Sequence, residues 1–169
     1  MSNAAAQKIN VIVAPGADFS HVKHYGWRLH PVFEKYPDLK ETYATAIQLI
    51  MQEGNAELMK RGLQPDDHAP DVFVSFLIQA TPETRTTTNT IFEAWYGTGY
   101  GWYSPGAVTR TGVENLIDGM LVIDVVNART LKLMWRAHCS DRIDDVRNRD
   151  KDIRKVVRKA LERFPSKSK

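Results

Sequence analysis

The sequence predicts an α+β domain: a two-layer sandwich with two helices packed on one face of a mostly antiparallel sheet of about six strands, a mixed sheet also being allowed. Three observations carry this. Short stretches alternate apolar and polar residues, two longer stretches repeat apolar residues at helical spacing, and each element has a single apolar face that helix-on-sheet packing buries most simply. With 169 residues, 43% of them hydrophobic and 25% charged, the chain is long enough to enclose one core without disulfide or metal staples. No run of 18 apolar residues occurs, which excludes a membrane-spanning helix within these residues.

The elements follow in order. Lys8 to Ala14 alternates β-branched and polar residues and stops at Pro15-Gly16, a first strand. His24 to Leu29 is a second, with Tyr25, Trp27 and Leu29 on one face. Asp38, with Glu41 three residues on, forms a capping box opening one helix of about 24 residues. That helix carries Tyr43, Ile47, Ile50, Met51 and Leu58 on its apolar stripe, has Gly54 as a weak point and ends on Gly62. Gln64 to Pro70 reads as a loop. Asp71 to Ala80 is apolar on both faces and belongs in the middle of the sheet. Thr81 to Thr90 suits an edge strand or hairpin, and Ile91 to Tyr96 is weakly strand-like. A long strand within Thr109–Val126 and a partner over Leu131–Cys139 make a hairpin turned by Asn127 to Thr130, the second arm alternating Leu131, Leu133, Trp135 and Ala137 with Lys132, Arg136 and His138. Val146, Ile153, Val156, Val157, Ala160, Leu161 and Phe164 form a final amphipathic helix closed by Pro165. The long helix can serve as the crossover between early strands and a parallel neighbour.

This reading makes residues 8–165 one domain. Residues 1–7 form a disordered tail or cloning remnant, for which Ser2-Asn3-Ala4 is the signal, and 166–169 form a basic disordered tail. The net charge of +3 is unevenly placed: Asp141 to Lys169 carries 11 Lys/Arg against 6 Asp/Glu, leaving 12 against 14 for the rest. The interleaved acids make the terminal helix a solvated face rather than a phosphate-tracking stripe, so nucleic acid is not the expected partner. Cys139, the single cysteine, rules out an intrachain disulfide and reads as a small semi-buried strand residue.

No motif assigns chemistry. His21, His24 and His30 lack a metal-binding set of evident spacing, and no metal or cofactor is expected. Gly97-Thr98-Gly99-Tyr100-Gly101 lacks the spacing of a phosphate loop, and neither a Gly-x-Ser-x-Gly elbow nor paired catalytic carboxylates can be assigned. No catalytic residue is identified. The unusual stretch is Trp95 to Gly106, which packs five of the sixteen aromatic residues and four of the ten glycines into twelve positions. Trp95, Tyr96, Tyr100, Trp102 and Tyr103 are therefore the candidate ligand- or partner-binding residues, suited to stacking on sugar rings or packing on a protein, against the plainer reading of rings folded over the sheet edge.

Asp18-Phe19, Tyr25, Trp27, Arg61-Gly62-Leu63, Pro70-Asp71-Val72-Phe73-Val74, Gly119 to Asp124, Thr130, Leu133, Trp135-Arg136-Ala137 and Phe164-Pro165 occur in an order and spacing that resembles the bacterial lipoproteins grouped as domain of unknown function 4136. The resemblance spans Lys8 to Pro165. It implies an export signal and lipid-modified cysteine upstream of these residues, a periplasmic location, and a tether to the outer or inner membrane. It implies no catalytic residue. Asn127 departs from the acidic turn residue more usual in that family. Read physically, the shared residues have structural roles: Trp27 and Trp135 anchor the core, Asp124 and Arg136 pair across the hairpin, and Asp18 and Asp71 bond to turn backbone. The leading expectation is a non-enzymatic envelope domain that binds a partner protein or cell-wall glycan. The rivals are an enzyme using His138, Cys139 or acids of the sheet, and a cytoplasmic basic domain binding nucleic acid.

Overall fold

The computed structural model describes residues 8–82, 117–143 and 149–165. In chain order the elements are β1 (Lys8–Val13), β2 (His24–Trp27), α1 (Val32–Lys35), α2 (Pro37–Thr42), α3 (Ala44–Lys60), β3 (Gln64–Pro65), β4 (Val72–Pro82), β5 (Ile117–Asn127), β6 (Leu133–Ile143) and α4 (Arg149–Leu161). The six strands form one mixed sheet in the order β1-β6-β5-β4-β2-β3. β1, β6, β5 and β4 are antiparallel, while β2 lies parallel to β4 and β3. The helical segment between β2 and β4 is thus the crossover of a parallel pair, as the sequence allows.

The hairpin β5–β6 turns where the sequence places it. The Asn127 side chain accepts hydrogen bonds from the backbone N–H groups of Arg129 and Thr130 at 3.0 and 2.9 Å. The amide oxygen suffices for this turn, because only an acceptor is needed. Leu131, with φ 56°, makes the left-handed step back into β6.

The helical region differs from the single long helix expected. Pro37 occupies the first position of α2, ahead of Asp38, and no side chain caps its start. The helix is interrupted at Tyr43 (φ −101°, ψ 12°), beside Thr42, whose hydroxyl donates to the Asp38 carbonyl at 2.8 Å and by that back-bonding favours a bend. A further turn, α1, precedes it, and the expected loop at Gln64 contributes a two-residue bridge to β2. The end of α3 is as read: Gly62 (φ 84°) and Leu63 donate to the carbonyls of Met59 and Leu58, the two-bond glycine cap with Leu63 buried beside Leu58. Of the hairpin or edge strand expected at Thr81 to Thr90 and the weak strand at Ile91 to Tyr96, Thr81 and Pro82 continue β4 and the rest lie outside the described residues.

Strand register divides the core into two faces, since residues directly opposite share a face. One row runs Trp27, Val74, Val125, Trp135, Val13 across five strands. This is the face that α3 and α4 cover. Trp135, fully buried, meets Phe164 edge-on at 5.3 Å between centroids. Trp27 meets Phe76 and Tyr25 edge-on at 5.9 and 6.2 Å. Its indole N–H and the Tyr25 hydroxyl both donate to Asn55 Oδ1 at 2.7 Å.

Gly54 lets α3 come this close: a Cβ there would stand 2.7 Å from the Trp27 ring. The ring cannot easily retreat, being held by Asn55, Tyr25 and Phe76. Gly54→Ala is therefore expected to destabilise the fold by about 1–2 kcal/mol, overpacking outweighing the ~1 kcal/mol that alanine contributes to helix propensity. Urea unfolding checks this, and a raised midpoint would show that the indole moves aside.

Candidate functional site

The aromatic residues singled out in the sequence, Trp95, Tyr96, Tyr100, Trp102 and Tyr103, lie outside the described residues. Their attachment is nevertheless fixed by register. β4 and β5 stay paired out to Pro82 opposite Ile117, so the two described residues that flank 83–116 are strand neighbours.

The described residues with unusual chemistry lie on the sheet face opposite α3 and α4. Here a second row runs Ser75, Asp124, Arg136, Ile12 across β4, β5, β6 and β1. Asp124 is 2% exposed, and Arg136 grips it with two hydrogen bonds, Nε to Oδ1 at 2.6 Å and Nη2 to Oδ2 at 2.7 Å. This is the cross-strand pair the sequence suggests, in a planar fork-on-carboxylate geometry that only arginine provides. Burial pushes the Asp124 carboxyl above its ordinary range, and the Arg136 fork opposes that push. Ser75 Oγ, wholly buried next to Asp124 in register, has no hydrogen-bond partner among the described residues.

His30 joins this face after β2. It is 5% exposed, and its Nδ1 accepts the Val32 N–H at 3.0 Å. Burial, with the nearby Arg136 charge, lowers its pKa to about 4. The ring is therefore neutral at physiological pH with its proton on Nε2. His138, one row from Arg136 in β6, has its Nε2 3.0 Å from Met120 Sδ and is likewise pushed toward the neutral form by burial and Arg136.

Cys139 and His138 cannot act as nucleophile and base. Adjacent strand residues point to opposite faces, so Cys139 enters the helix-covered core while His138 faces away. Burial moreover pushes the Cys139 thiol up to about 12, keeping it protonated. Strand geometry thus places these two neighbours in sequence on opposite sides of the sheet.

The remaining sequence candidates have structural partners. Asp71 accepts the backbone N–H groups of Lys23 and His24 at 2.9 and 2.8 Å, with His24 Nδ1 at 3.4 Å. Partial burial works against its charge, yet these bonds hold its carboxyl below the ordinary range. Asp18 accepts the Ser20 N–H at 2.8 Å. On the basic terminal helix, Arg154 and Arg158 both reach Glu53 of α3, at 3.6 and 2.9 Å, so part of its positive charge is internally matched. Among the described residues no cluster of His, Cys, Asp or Glu is arranged to hold a metal, and no helix is long and apolar enough to cross a membrane.

The sequence weighs His30 only as a metal ligand beside His21 and His24 and does not single out Ser75. Ser75 is the one polar residue inside the run Val72 to Ile78, a signal that registers only when the strand is laid beside Asp124. His30 follows β2 and is brought to the polar row by tertiary folding alone.

Two outcomes test this site. Replacing Arg136 alone by Met leaves a buried carboxylate uncompensated and is expected to cost about 3–5 kcal/mol in urea unfolding, while adding Asp124→Leu recovers most of it; equal losses in single and double variants would refute the pairing argument. His30 has a folded pKa below its unfolded value of ~6.5, so the unfolded chain binds the extra proton between these values and stability rises with pH across the window from about 4 to 6.5. His30→Asn keeps an acceptor for Val32 and is expected to abolish up to about 3 kcal/mol of that dependence. Melting temperature as a function of pH reads it directly.

The comparisons concern the fold and the family. No protein with a curated description matches the sequence. A PDZ domain protein from Parabacteroides distasonis is similar with a TM-score of 0.59 and 14% identity, over 98% of this chain and 38% of that one. The chain thus spans well under half the length of that protein. PelC from Paraburkholderia phytofirmans, described as a dodecamer, is similar with a TM-score of 0.53 and 10% identity, over 96% of this chain and 100% of that one. Both are likenesses of fold. The family described as "Domain of unknown function (DUF4136)" matches residues 10–166, nearly the whole sequence, and the chain belongs to that family.

Proposed function

We propose that this domain is a non-enzymatic binding module of the bacterial cell envelope, lipid-anchored in its native form on the outer or inner membrane, whose ligand is a partner protein or a cell-wall glycan. The observation that carries the reading is the aromatic and glycine-rich stretch Trp95 to Gly106, which lies in sequence between Pro82 and Ile117, paired neighbours in the sheet. Five rings beside four glycines supply large contact area with backbone that can conform to a ligand. The family supports an envelope setting through the resemblance to lipoproteins.

Tryptophan fluorescence provides the test. Two of the four tryptophans, Trp27 and Trp135, belong to the core, so changes on adding ligand report chiefly on Trp95 and Trp102. Titration with peptidoglycan fragments, and with partners captured by crosslinking in native envelopes, is expected to shift emission in the wild type and not in a Trp102→Ala, Tyr103→Ala variant. A response identical in both would remove these residues from the binding surface.

A further inference from the structure

We propose that β1 is a self-association edge: a second copy of this chain adds its own β1 in antiparallel sense, about a two-fold axis at Ile12, joining two sheets into one. β1 is the outermost strand beside β6. Its backbone parity follows from Ala14, whose N–H donates to Met134 at 2.9 Å in the register that continues the β1–β6 ladder. Antiparallel ladders alternate, so Lys8, Asn10, Ile12 and Ala14 bond inward to β6. The N–H and C=O groups of Ile9, Val11 and Val13 therefore point out of the sheet.

One of these outward groups is already taken: the Ile9 carbonyl accepts a hydrogen bond from Arg163 at 2.7 Å. Among the described residues no other backbone or side-chain partner is present for Val11 or Val13. Val13 is also among the few exposed large apolar residues, at 50%. Unpaired edge groups of this kind accept extended backbone and nothing else so well.

The pattern of what is free selects the occupant. With the axis at Ile12, Val11 meets Val13 of the second copy and Val13 meets its Val11. Each such pair exchanges two hydrogen bonds, four in all. The same register sets Ile9 opposite Pro15 of the second copy. Proline has no N–H to give, and the Ile9 carbonyl, satisfied by Arg163, needs none. An axis at Val11 would instead demand that occupied carbonyl. The side chains agree: Val11 and Val13 of both copies stay on the helix-covered face, and Ile12 meets Ile12 on the other. No like charges are brought directly opposite.

The test is sedimentation of the full chain over a concentration series together with cysteine crosslinking. The mass is expected to rise toward two chains with concentration. Ile12→Cys is expected to give an oxidised dimer, because residues facing each other in a non-hydrogen-bonded antiparallel pair stand about 4.5 Å apart at Cα, within disulfide reach. Lys151→Cys on α4 is the control that stays monomeric under the same oxidant, and the native Cys139 is buried. Val13→Pro removes an outward N–H that the inner ladder does not use. It is expected to keep the circular dichroism and melting temperature of the folded domain while losing the mass increase. A chain that stays at monomer mass at every concentration overturns the proposal, as does a dimer whose Ile12→Cys form fails to crosslink or that survives Val13→Pro.

Discussion

The approach of α3 to the sheet is set by one contact, the Trp27 indole against the bare backbone of Gly54. Everything on that face follows from the distance it permits. Asn55, the next residue, turns one amide oxygen toward both the partly buried Trp27 and the buried Tyr25, so the polar atoms of both rings are satisfied by the same helix that covers them. α4 then packs beside α3, with Leu161 close to Gly54 and with Arg154 and Arg158 reaching Glu53. A larger residue at 54 would push out α3, and α4 with it.

The opposite face is organised by charge. A buried carboxylate is costly unless its partner is close, planar and fixed, and the Asp124–Arg136 fork meets that condition from adjacent strands. Its neighbours adjust to it: His30 and His138 remain neutral beside a permanent cation. The sheet thus carries an apolar layer under its helices and a polar row on its reverse, and the strand alternation that separates them also parts Cys139 from His138.

Charge is likewise local at the C-terminal end. The basicity of the sequence is concentrated there, yet α4 uses two arginines on Glu53, and Arg163, just beyond it, covers a carbonyl on the edge of β1. Residues distant in sequence are brought together in each case. Part of what the composition reports as net charge is, in the fold, a set of specific attachments.

The α+β class, the β5–β6 hairpin, the glycine cap of α3 and the Asp124–Arg136 pair were legible in the sequence, because each depends on residues near one another along the chain or on simple periodicity. Hydrophobic alternation, a glycine after a basic turn and an asparagine between two strands act within a few residues, and their physics is local. The break at Tyr43 was not legible, since a capping box and an apolar stripe read the same through a bend. Nor were the burial of His30, the register that sets Ser75 beside Asp124, the meeting of Trp27 with Gly54 or the Arg163 bond to Ile9. Those are contacts between segments up to 154 residues apart, chosen by which strands become neighbours. Periodicity says that a face is buried; only the assembled sheet decides what it is buried against.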